Sequence, residues 1–330
     1  MRYTIAWVLA LAVLFYYTRS LALLLAVLLS QVCLWVLLVG GFSAMGEVIS
    51  AHTQPSLPPS PPLSAGSRML VVGAARGLGL ECASLARGAG WEVEAADASF
   101  SGDGHLDLTQ PPTIAAFCDR LVARGVRRLD ALLLVAGVCD AGPVGVVGSP
   151  LPRMLWVNFL GHVVVQRELA ARRIEVRRIV LVSSGSYVRG GRGESAFFPS
   201  NWSALGAMAA YAQSKFLVTA WAHALRGDNR KAPEVVIINP GPMGTAIGDA
   251  HVPLPLWPTF GLMKEVLFPP PSSAATSVLW WTQAPGAPVE YVDIRAVSKL
   301  NAAVKSEVAL QQVRAALVAG GLECGGFQGK

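Results

Sequence analysis

Apolar side chains run almost without a break through the first 42 residues. From Tyr3 to Phe42 the only charged side chain is Arg19. A transmembrane helix needs about 20 apolar residues, and Leu21 to Phe42 supplies that length by itself. The shorter run from Tyr3 to Tyr17 fits either the second helix of a hairpin or an interfacial lead-in. We therefore predict a membrane anchor over residues 1–42, a transmembrane helix or a helical hairpin, with a buried helix of a soluble core as the alternative.

Proline and serine dominate the stretch that follows. Gln54 to Ser67 has the composition of an extended, semi-rigid spacer, so residues 43–67 are predicted to be a linker. From Arg68 onward, short β-rich apolar runs alternate with longer helical patterns. This alternation is typical of a parallel sheet with helices on both faces. Residues 68–330 are therefore predicted to form one doubly wound α/β domain that ends in a C-terminal helix.

The pattern also predicts individual elements. Strands are expected at Met69–Val72, Glu92–Ala96, a short stretch ending at Asp107, Asp130–Val135, Arg178–Ser183, Glu234–Asn239 and Val289–Asp293. Helices are expected from Leu78 to about Gly88, from near Pro112, from about Arg153 to Arg172, from Tyr211 to about Leu225, and after the last strand. Only Ala98 to Gly104 separates the second and third strands, which is too short for a crossover helix, so we expect a loop there.

The composition supports a membrane-bound chain and argues against nucleic acid as a partner. Hydrophobic residues make up 53% of the sequence and charged residues 15%, whereas soluble domains have about 25% charged residues. The net charge of +6 comes from dispersed residues, which favours mild attraction to anionic membrane lipid. The five cysteines lack metal-site spacing, so we expect free thiols in a reducing compartment and no bound metal.

A glycine-rich turn joins the first predicted strand to the first predicted helix. It reads Gly73-Ala74-Ala75-Arg76-Gly77-Leu78-Gly79. Glycines permit a tight turn and close approach to a ligand, and free N–H groups at a helix N-terminus attract phosphate. The turn is predicted to bind the pyrophosphate of a nucleotide, and an ordinary loop is the alternative.

Tyr211 and Lys215 form a second candidate site at the start of a predicted helix. Residues at i and i+4 share one helix face. A free tyrosine has a pKa near 10, and a nearby ammonium favours its ionised form, which suits proton transfer. On an arbitrary helix the same pair is usually a solvated polar face, so the surroundings decide the interpretation.

Three further segments supply those surroundings. Ser184 follows the strand Arg178–Ser183, at the end of a parallel strand where α/β sheets bind ligands. Asn158 is an amide in an otherwise apolar helical stretch and calls for a hydrogen-bonding partner. A rigid turn, Asn239 to Thr245, follows the strand Val235 to Ile238 and could hold the nicotinamide end of a dinucleotide.

In this order and spacing the motifs resemble those of the short-chain dehydrogenase/reductase family, from Arg68 to about Asp293. The resemblance implies a Rossmann-type fold, hydride transfer between nicotinamide and a substrate carbon, and the catalytic tetrad Asn158, Ser184, Tyr211 and Lys215. It implies that Tyr211 is the general acid/base, that Lys215 lowers the tyrosine pKa and holds the ribose, that Ser184 binds the substrate oxygen, and that Asn158 supports a relay water. Besides Tyr211 and Lys215, the implied cofactor-binding residues are Gly73, Arg76, Gly77, Leu78, Gly79, Asp97, Asp107, Leu108, Ala136, Gly137, Pro240, Gly241 and Thr245.

The resemblance is strongest to the membrane-anchored, retinol dehydrogenase-like group. It rests on the anchor, on the 27-residue gap from Ser184 to Tyr211, and on the tail segments Phe268-Pro269, Ala274-Ala275-Thr276 and Glu290-Tyr291-Val292-Asp293. It implies a lipophilic substrate, such as a retinoid, steroid or fatty aldehyde. Members of the wider family often pair through the helices that here carry Asn158 and Tyr211, which implies a homodimer by analogy. The aromatic segments Ala196-Phe197-Phe198 with Trp202, and Leu254 to Met263, are expected to line an apolar entrance, with core packing as the alternative.

Two residues point to different cofactors. Asp97, at the end of the second predicted strand, would accept hydrogen bonds from ribose hydroxyls and repel a 2′-phosphate, which favours NAD. Arg76 in the glycine turn could pair with that phosphate, which leaves NADP open. NAD(H) is favoured because a contacting carboxylate is hard to reconcile with a phosphate, whereas Arg76 can swing into solvent.

The chain departs from the family pattern at the fourth predicted strand. Leu134-Val135-Ala136-Gly137 stands where the family usually has Asn-Asn-Ala-Gly, and Val72 replaces a threonine. A membrane scaffold that binds nucleotide without turnover is therefore the alternative to an enzyme. A nucleotide-binding methyltransferase would leave the Tyr211 and Lys215 pair unexplained. Free cysteines and the distribution of basic residues favour a domain that faces the cytosol from the endoplasmic reticulum membrane.

Overall fold

The parallel sheet and its flanking helices account for most of the residues that can be described. A computed structural model describes Ala26, Leu29, Ser30 and residues 66–140, 145–146, 148–191, 202, 205–226, 233–245, 247, 261, 265, 268–284, 291–294 and 296–322. The predicted anchor and linker lie almost wholly outside these residues. No helix within the described ranges is both long enough and apolar enough to span a bilayer.

Seven strands form the main sheet of the described residues. The strands in the described part of the chain are β1 (Arg68–Val72), β2 (Glu92–Ala96), β3 (Arg128–Leu129), β4 (Ala131–Leu134), β5 (Glu175–Val176), β6 (Arg178–Val182), β7 (Glu234–Asn239), β8 (Tyr291–Asp293) and β9 (Ala296–Ser298). The order in the main sheet is β2-β1-β4-β6-β7-β8-β9. Every neighbouring pair is parallel except β8 and β9. Strands β3 and β5 form a separate parallel pair.

Helices connect the strands and cover the sheet. They are α1 (Gly77–Gly88), α2 (Pro111–Ala123), α3 (Arg153–Leu155), α4 (Gly161–Ala171), α5 (Ala207–Leu225), α6 (Pro271–Gln283) and α7 (Glu307–Ala319). A π-helical turn, Trp156–Leu160, joins α3 to α4. Local sequence explains several of the starts: Pro111 and Pro271 stand in the first turns of their helices, and Ser306 caps α7 by accepting from the Ala309 N–H at 3.2 Å.

Alternate residues of each central strand face opposite sides of the sheet. In β1, Leu70 and Val72 join a core that includes residues of α2, α4, α5 and α7, whereas Met69 and Val71 join a core with α1 and α6. All four side chains are buried. Burial on both faces explains why the central strands are continuous apolar runs rather than alternating ones. The predicted doubly wound α/β fold is confirmed.

The predicted third strand is wrong. The residues before Asp107 form only a single parallel bridge, between Asp97 and His105. A short 3₁₀ turn, Gly102–Gly104, occupies the connection in place of a crossover helix, as the short spacing predicted. The seven-residue connection is too short for a crossover helix, and the chain returns beside the end of β2 only at this bridge before α2 begins at Pro111.

A buried arginine fastens α6 to the sheet. Arg178, at the start of β6, donates through Nη1 to the carbonyl oxygens of Trp281 at 3.1 Å and Thr282 at 2.9 Å, and through Nη2 to that of Ala284 at 3.0 Å. Its Nε and Nη2 also bind the Glu234 carboxylate. The guanidinium therefore satisfies carbonyl groups that the helix C-terminus cannot satisfy internally.

Candidate functional site

The glycine turn is shaped by close backbone approaches. Gly73 has φ +95°, and a Cβ there would lie 2.7 Å from the Ala136 backbone nitrogen. A Cβ on Gly79 would lie 2.0 Å from the Gly73 carbonyl oxygen. The turn and the start of α1 thus pack against each other and against the loop after β4, which only glycine allows. Arg76 is the N-cap residue of α1, and its side chain makes no capping hydrogen bond. The N–H groups of the first turn of α1 can therefore face a bound anion.

Asp97 stands directly after β2 and faces the same turn. Its Oδ1 accepts from the backbone N–H of Ser99 at 2.9 Å and from the Ser99 hydroxyl at 2.8 Å, and its Oδ2 lies 3.3 Å from the Ala75 nitrogen. Arg76 is exposed. The carboxylate is therefore held beside the turn, whereas the arginine is on the surface.

The Asp107-Leu108 pair is built into the start of α2. Asp107 Oδ1 accepts from the N–H and the hydroxyl of Thr109, each at 2.8 Å, and Oδ2 accepts from Gln110 at 3.1 Å. Leu108 is buried against Gly161, where a Cβ would lie 2.6 Å from the Leu108 Cβ. Both residues thus have structural roles beside the cofactor role that the sequence suggests.

Asn158 is fully buried in the π-helical turn. Its Oδ1 accepts from the Val138 N–H at 2.8 Å, and its Nδ2 donates to the Val138 carbonyl at 2.9 Å and to the Ser214 hydroxyl at 2.9 Å. The amide thus has the hydrogen-bonding partners that its sequence context called for, in the loop after β4 and at Ser214 of α5. Turns of this type are frequent at functional sites because the extra residue redirects side chains.

Lys215 is buried between that loop and the sheet. Its Nζ donates to the Val182 carbonyl at the end of β6 at 3.1 Å and lies 5.8 Å from the centroid of the Tyr211 ring. A Cβ on Gly137 would lie 3.3 Å from Nζ and 3.5 Å from Asn158 Oδ1. Burial lowers the pKa of Lys215 to about 8. The structure thus brings Tyr211, Lys215, Asn158 and Gly137 together at the carboxyl ends of β4 and β6.

Ser184 follows β6 at the same edge of the sheet. Its Oγ accepts from the Ser186 N–H at 3.2 Å and from the Ser186 hydroxyl at 3.0 Å. Ser184 is the acceptor in both hydrogen bonds, so the hydrogen of its own hydroxyl group remains available to donate. Ser183 points into the core instead and shares a 2.6 Å hydrogen bond with Thr219.

The turn after β7 lies at the opposite side of the candidate site from α2. Asn239 donates to Asp293 at 2.8 Å and accepts from the Gly241 N–H at 3.1 Å, which fixes the Pro240-Gly241 turn. Thr245 reaches the glycine turn, because a Cβ on Gly77 would lie 3.5 Å from its Cγ2. The aromatic segments predicted to line the entrance lie outside the described residues, apart from Trp202, which is buried, and Gly261.

One residue of this region was not anticipated. His162 lies one turn after Asn158, is buried, and has its Nε2 3.0 Å from the Ala136 carbonyl oxygen. The i, i+4 spacing from Asn158 in a stretch of apolar residues was the available signal.

The sequence predicted free thiols and no bound metal, and three of the five cysteines lie among the described residues. Within the described residues, Cys82, Cys118 and Cys139 form no disulfide, and burial raises the pKa of each to about 12. Cys33 and Cys324 lie outside the described residues. Among the residues described, no group of three acidic, histidine or cysteine side chains could hold a metal ion.

No family model matches the chain, and no curated protein sequence matches it. Solved structures do resemble it. The 3-alpha-hydroxysteroid dehydrogenase from Pseudomonas sp. B-0831, complexed with NADH, has a TM-score of 0.54 and 21% identity, and the match covers 69% of this chain and 96% of that one. The short-chain dehydrogenase/reductase SDR:glucose/ribitol dehydrogenase from Brucella melitensis has a TM-score of 0.51, 16% identity and coverages of 69% and 94%.

Thermoplasma acidophilum aldohexose dehydrogenase gives a TM-score of 0.50 at 18% identity, over 72% of this chain and 98% of that one. At these identities the likeness shows the fold, which this chain shares with dehydrogenases of the short-chain type. The lining fits the phosphates of a dinucleotide, because the first turn of α1 has no side-chain cap and its N–H groups can face an anion, and because Gly137 carries no side chain beside Lys215 Nζ.

Proposed function

We propose that the chain is a membrane-anchored, nicotinamide-dependent oxidoreductase that interconverts an alcohol and a carbonyl on a lipophilic substrate. The observation that carries the proposal is Lys215, a buried cation held against Val182 and Gly137 with the Tyr211 ring beside it. Burying the ammonium group of a lysine costs free energy, and ionisable groups perturbed in this way cluster at functional sites. A charge next to a half-buried phenol favours its ionised form and so supports general acid/base chemistry.

The chain's own residues have distinct tasks in this mechanism. A nicotinamide nucleotide, when bound, supplies or accepts the hydride. Tyr211 transfers the proton to or from the substrate oxygen, and Ser184 donates its free hydroxyl hydrogen to that oxygen. Asn158 fixes the loop that carries Gly137, and Lys215 keeps its charge beside the phenol.

Asp97 supports a preference for NAD(H) over NADP(H). Its carboxylate lies beside the turn and is held by Ser99, so a 2′-phosphate there would meet a negative charge. Arg76, being exposed, could still serve NADP(H). Affinities for both nucleotides, measured in the wild type and in Asp97→Ser, test this preference: the variant should lose most of the discrimination.

The lipophilic substrate and the location are proposed from the sequence. The apolar run of residues 1–42 would place the domain at the endoplasmic reticulum membrane on the cytosolic side, and the retinol dehydrogenase-like tail segments favour a retinoid, steroid or fatty aldehyde. Carbonate extraction and protease protection of the expressed full chain test the anchor and its orientation. Cross-linking in detergent tests the proposed homodimer.

The decisive experiment measures turnover with the full chain in detergent. A panel of retinoid, steroid and fatty carbonyls, with small polar carbonyls for comparison, is assayed through the absorbance of the reduced nicotinamide. Tyr211→Phe should reduce turnover by about 10²–10⁴-fold, whereas Tyr291→Phe, at the far end of β8, should not. Equal activity in Tyr211→Phe and wild type would refute the proposed chemistry. Nucleotide binding with no turnover across the panel would favour a scaffold instead.

A further inference from the structure

His162 is a buried histidine with a fixed proton. It is the second residue of α4 and is 2% exposed. Its Nε2 lies 3.0 Å from the Ala136 carbonyl oxygen, and because a carbonyl can only accept, Nε2 carries the hydrogen. Nδ1 is buried and has no partner among the residues that the structure describes.

The environment keeps this ring neutral. Burial lowers the pKa of His162 to about 4, the hydrogen bond to Ala136 opposes that effect, and the charge of Lys215 adds to it. A lysine or arginine here would place a second cation close to Lys215. A neutral imidazole supplies the hydrogen bond without the charge.

His162 and Asn158 hold two ends of one short segment. Asn158 binds both the N–H and the carbonyl of Val138, and His162 binds the carbonyl of Ala136. Gly137 lies between them, against Lys215 Nζ. The position of this segment therefore sets the space that Lys215 occupies.

The segment has few other restraints. Leu134 and Val135 carry no hydrogen-bonding side chains, and the Val135 and Ala136 N–H groups donate to the same acceptor, the Val72 carbonyl, at 3.1 and 2.9 Å. The side chains that bind the backbone of residues 136–138 come from α4 and its π-helical turn. The two residues that follow are held from α5 and α3, where Met208 contacts Cys139 and Arg153 binds Asp140.

We propose that His162 is a positioning residue, which holds the Ala136 carbonyl so that residues 136–138 leave room for Lys215 and a bound nucleotide. The nucleotide part of this inference rests on the proposed function. The loop part can be measured without nucleotide or turnover.

Two substitutions separate the hydrogen bond from the ring. In His162→Gln the side-chain amide nitrogen lies as many bonds from Cα as Nε2 does and can reach Ala136. In His162→Asn it corresponds to Nδ1 and stops short. Hydrogen exchange on the full chain in detergent, without nucleotide, is followed in a peptide that spans residues 135–139.

We expect His162→Asn to exchange about tenfold faster than wild type in that peptide, as the loss of one hydrogen bond implies. NADH binding, followed by tryptophan fluorescence, should weaken by a similar factor. His162→Gln should restore most of both losses. Wild-type exchange in His162→Asn, or equal changes in the two variants, would overturn the proposal.

A spectroscopic measurement protects the test against misfolding of a variant. Nitrogen NMR of the histidine-labelled wild-type chain at neutral pH should show a neutral ring protonated at Nε2, a signal that His162→Gln removes. A ring protonated at Nδ1 would refute the assignment. If NADH does not bind the wild type at all, the proposed function fails, whereas the exchange comparison still decides the role of His162.

Discussion

Two glycines of α1 offer a matched pair of substitutions with opposite expected effects. A Cβ on Gly79 would lie 2.0 Å from the Gly73 carbonyl oxygen and 2.8 Å from the Gly73 carbonyl carbon. These are backbone atoms, so Gly79→Ala must push the start of α1 away from the turn. A Cβ on Gly88, at the end of the same helix, would meet nothing within 4 Å. Gly88→Ala should therefore only restrict the unfolded chain and favour the helix.

The magnitudes follow from these contacts. Overpacking of this kind costs about 2–3 kcal/mol, which corresponds to a fall in Tm of about 5–10 °C for a domain of this size. Glycine to alanine in an unobstructed helix gains about 0.5–1 kcal/mol, or about 1–3 °C. Gly79→Ala should also weaken NADH binding, because the displaced helix start carries the N–H groups that would face phosphate.

The assay is thermal unfolding by tryptophan fluorescence of the full chain in one detergent, with and without NADH. Wild type and the two variants are compared at the same protein concentration. A Gly79→Ala protein that melts at or above the wild-type temperature would refute the packing described for the turn. A lower melting temperature for Gly88→Ala than for the wild type would contradict the open space at the end of α1.

Three other outcomes follow from buried groups. Arg178→Met should lower the free energy of unfolding by about 3 kcal/mol, because the carbonyl groups at the end of α6 lose their hydrogen-bond donor. Arg314→Met, at an exposed ion pair, should change the free energy of unfolding by less than about 1 kcal/mol. Chemical denaturation of both variants measures the difference. Burial lowers the pKa of Lys215 from 10.5 to about 8, so between these pH values the unfolded chain binds one proton more than the folded protein and the free energy of unfolding rises with pH. Lys215→Met should remove about 3 kcal/mol of that rise. Parallel pH profiles of the free energy of unfolding in the variant and the wild type would contradict this expectation. Cys82 and Cys118, buried and with pKa near 12, should resist maleimide in the native protein at neutral pH and react on unfolding, and rapid native labelling would show that they are accessible.

The strands with continuous apolar runs were the most predictable elements. β7 occupies the predicted residues Glu234–Asn239, because burial on both faces leaves a simple signature. Helix α6 was missed, since its sequence mixes small polar residues with apolar ones. Its buried face, which includes Ala274, Ala275 and Val278, is small because α1 packs closely against it, and that contact is not encoded in local periodicity.

The residue types of the candidate site could be predicted from the sequence, but the hydrogen bonds that hold these residues in place could not. Spacing alone placed Tyr211 and Lys215 on one helix face. The π-helical turn at Asn158 depends on the loop that the amide binds, so no local pattern announces it. The use of the Val182 carbonyl as the acceptor for Lys215 likewise arises only when β6 and α5 are packed together.

The reduction of the third strand to one bridge has a consequence for the solubility of the folded domain. In the described sheet it makes β2 the outermost strand, with backbone groups that another extended chain could join. Glu92 and Glu94 lie on this strand and are paired with Arg68 and Arg124. Charged pairs along an open edge discourage intermolecular strand pairing, so Glu92 and Glu94 lower the tendency of the folded domain to self-associate through β2.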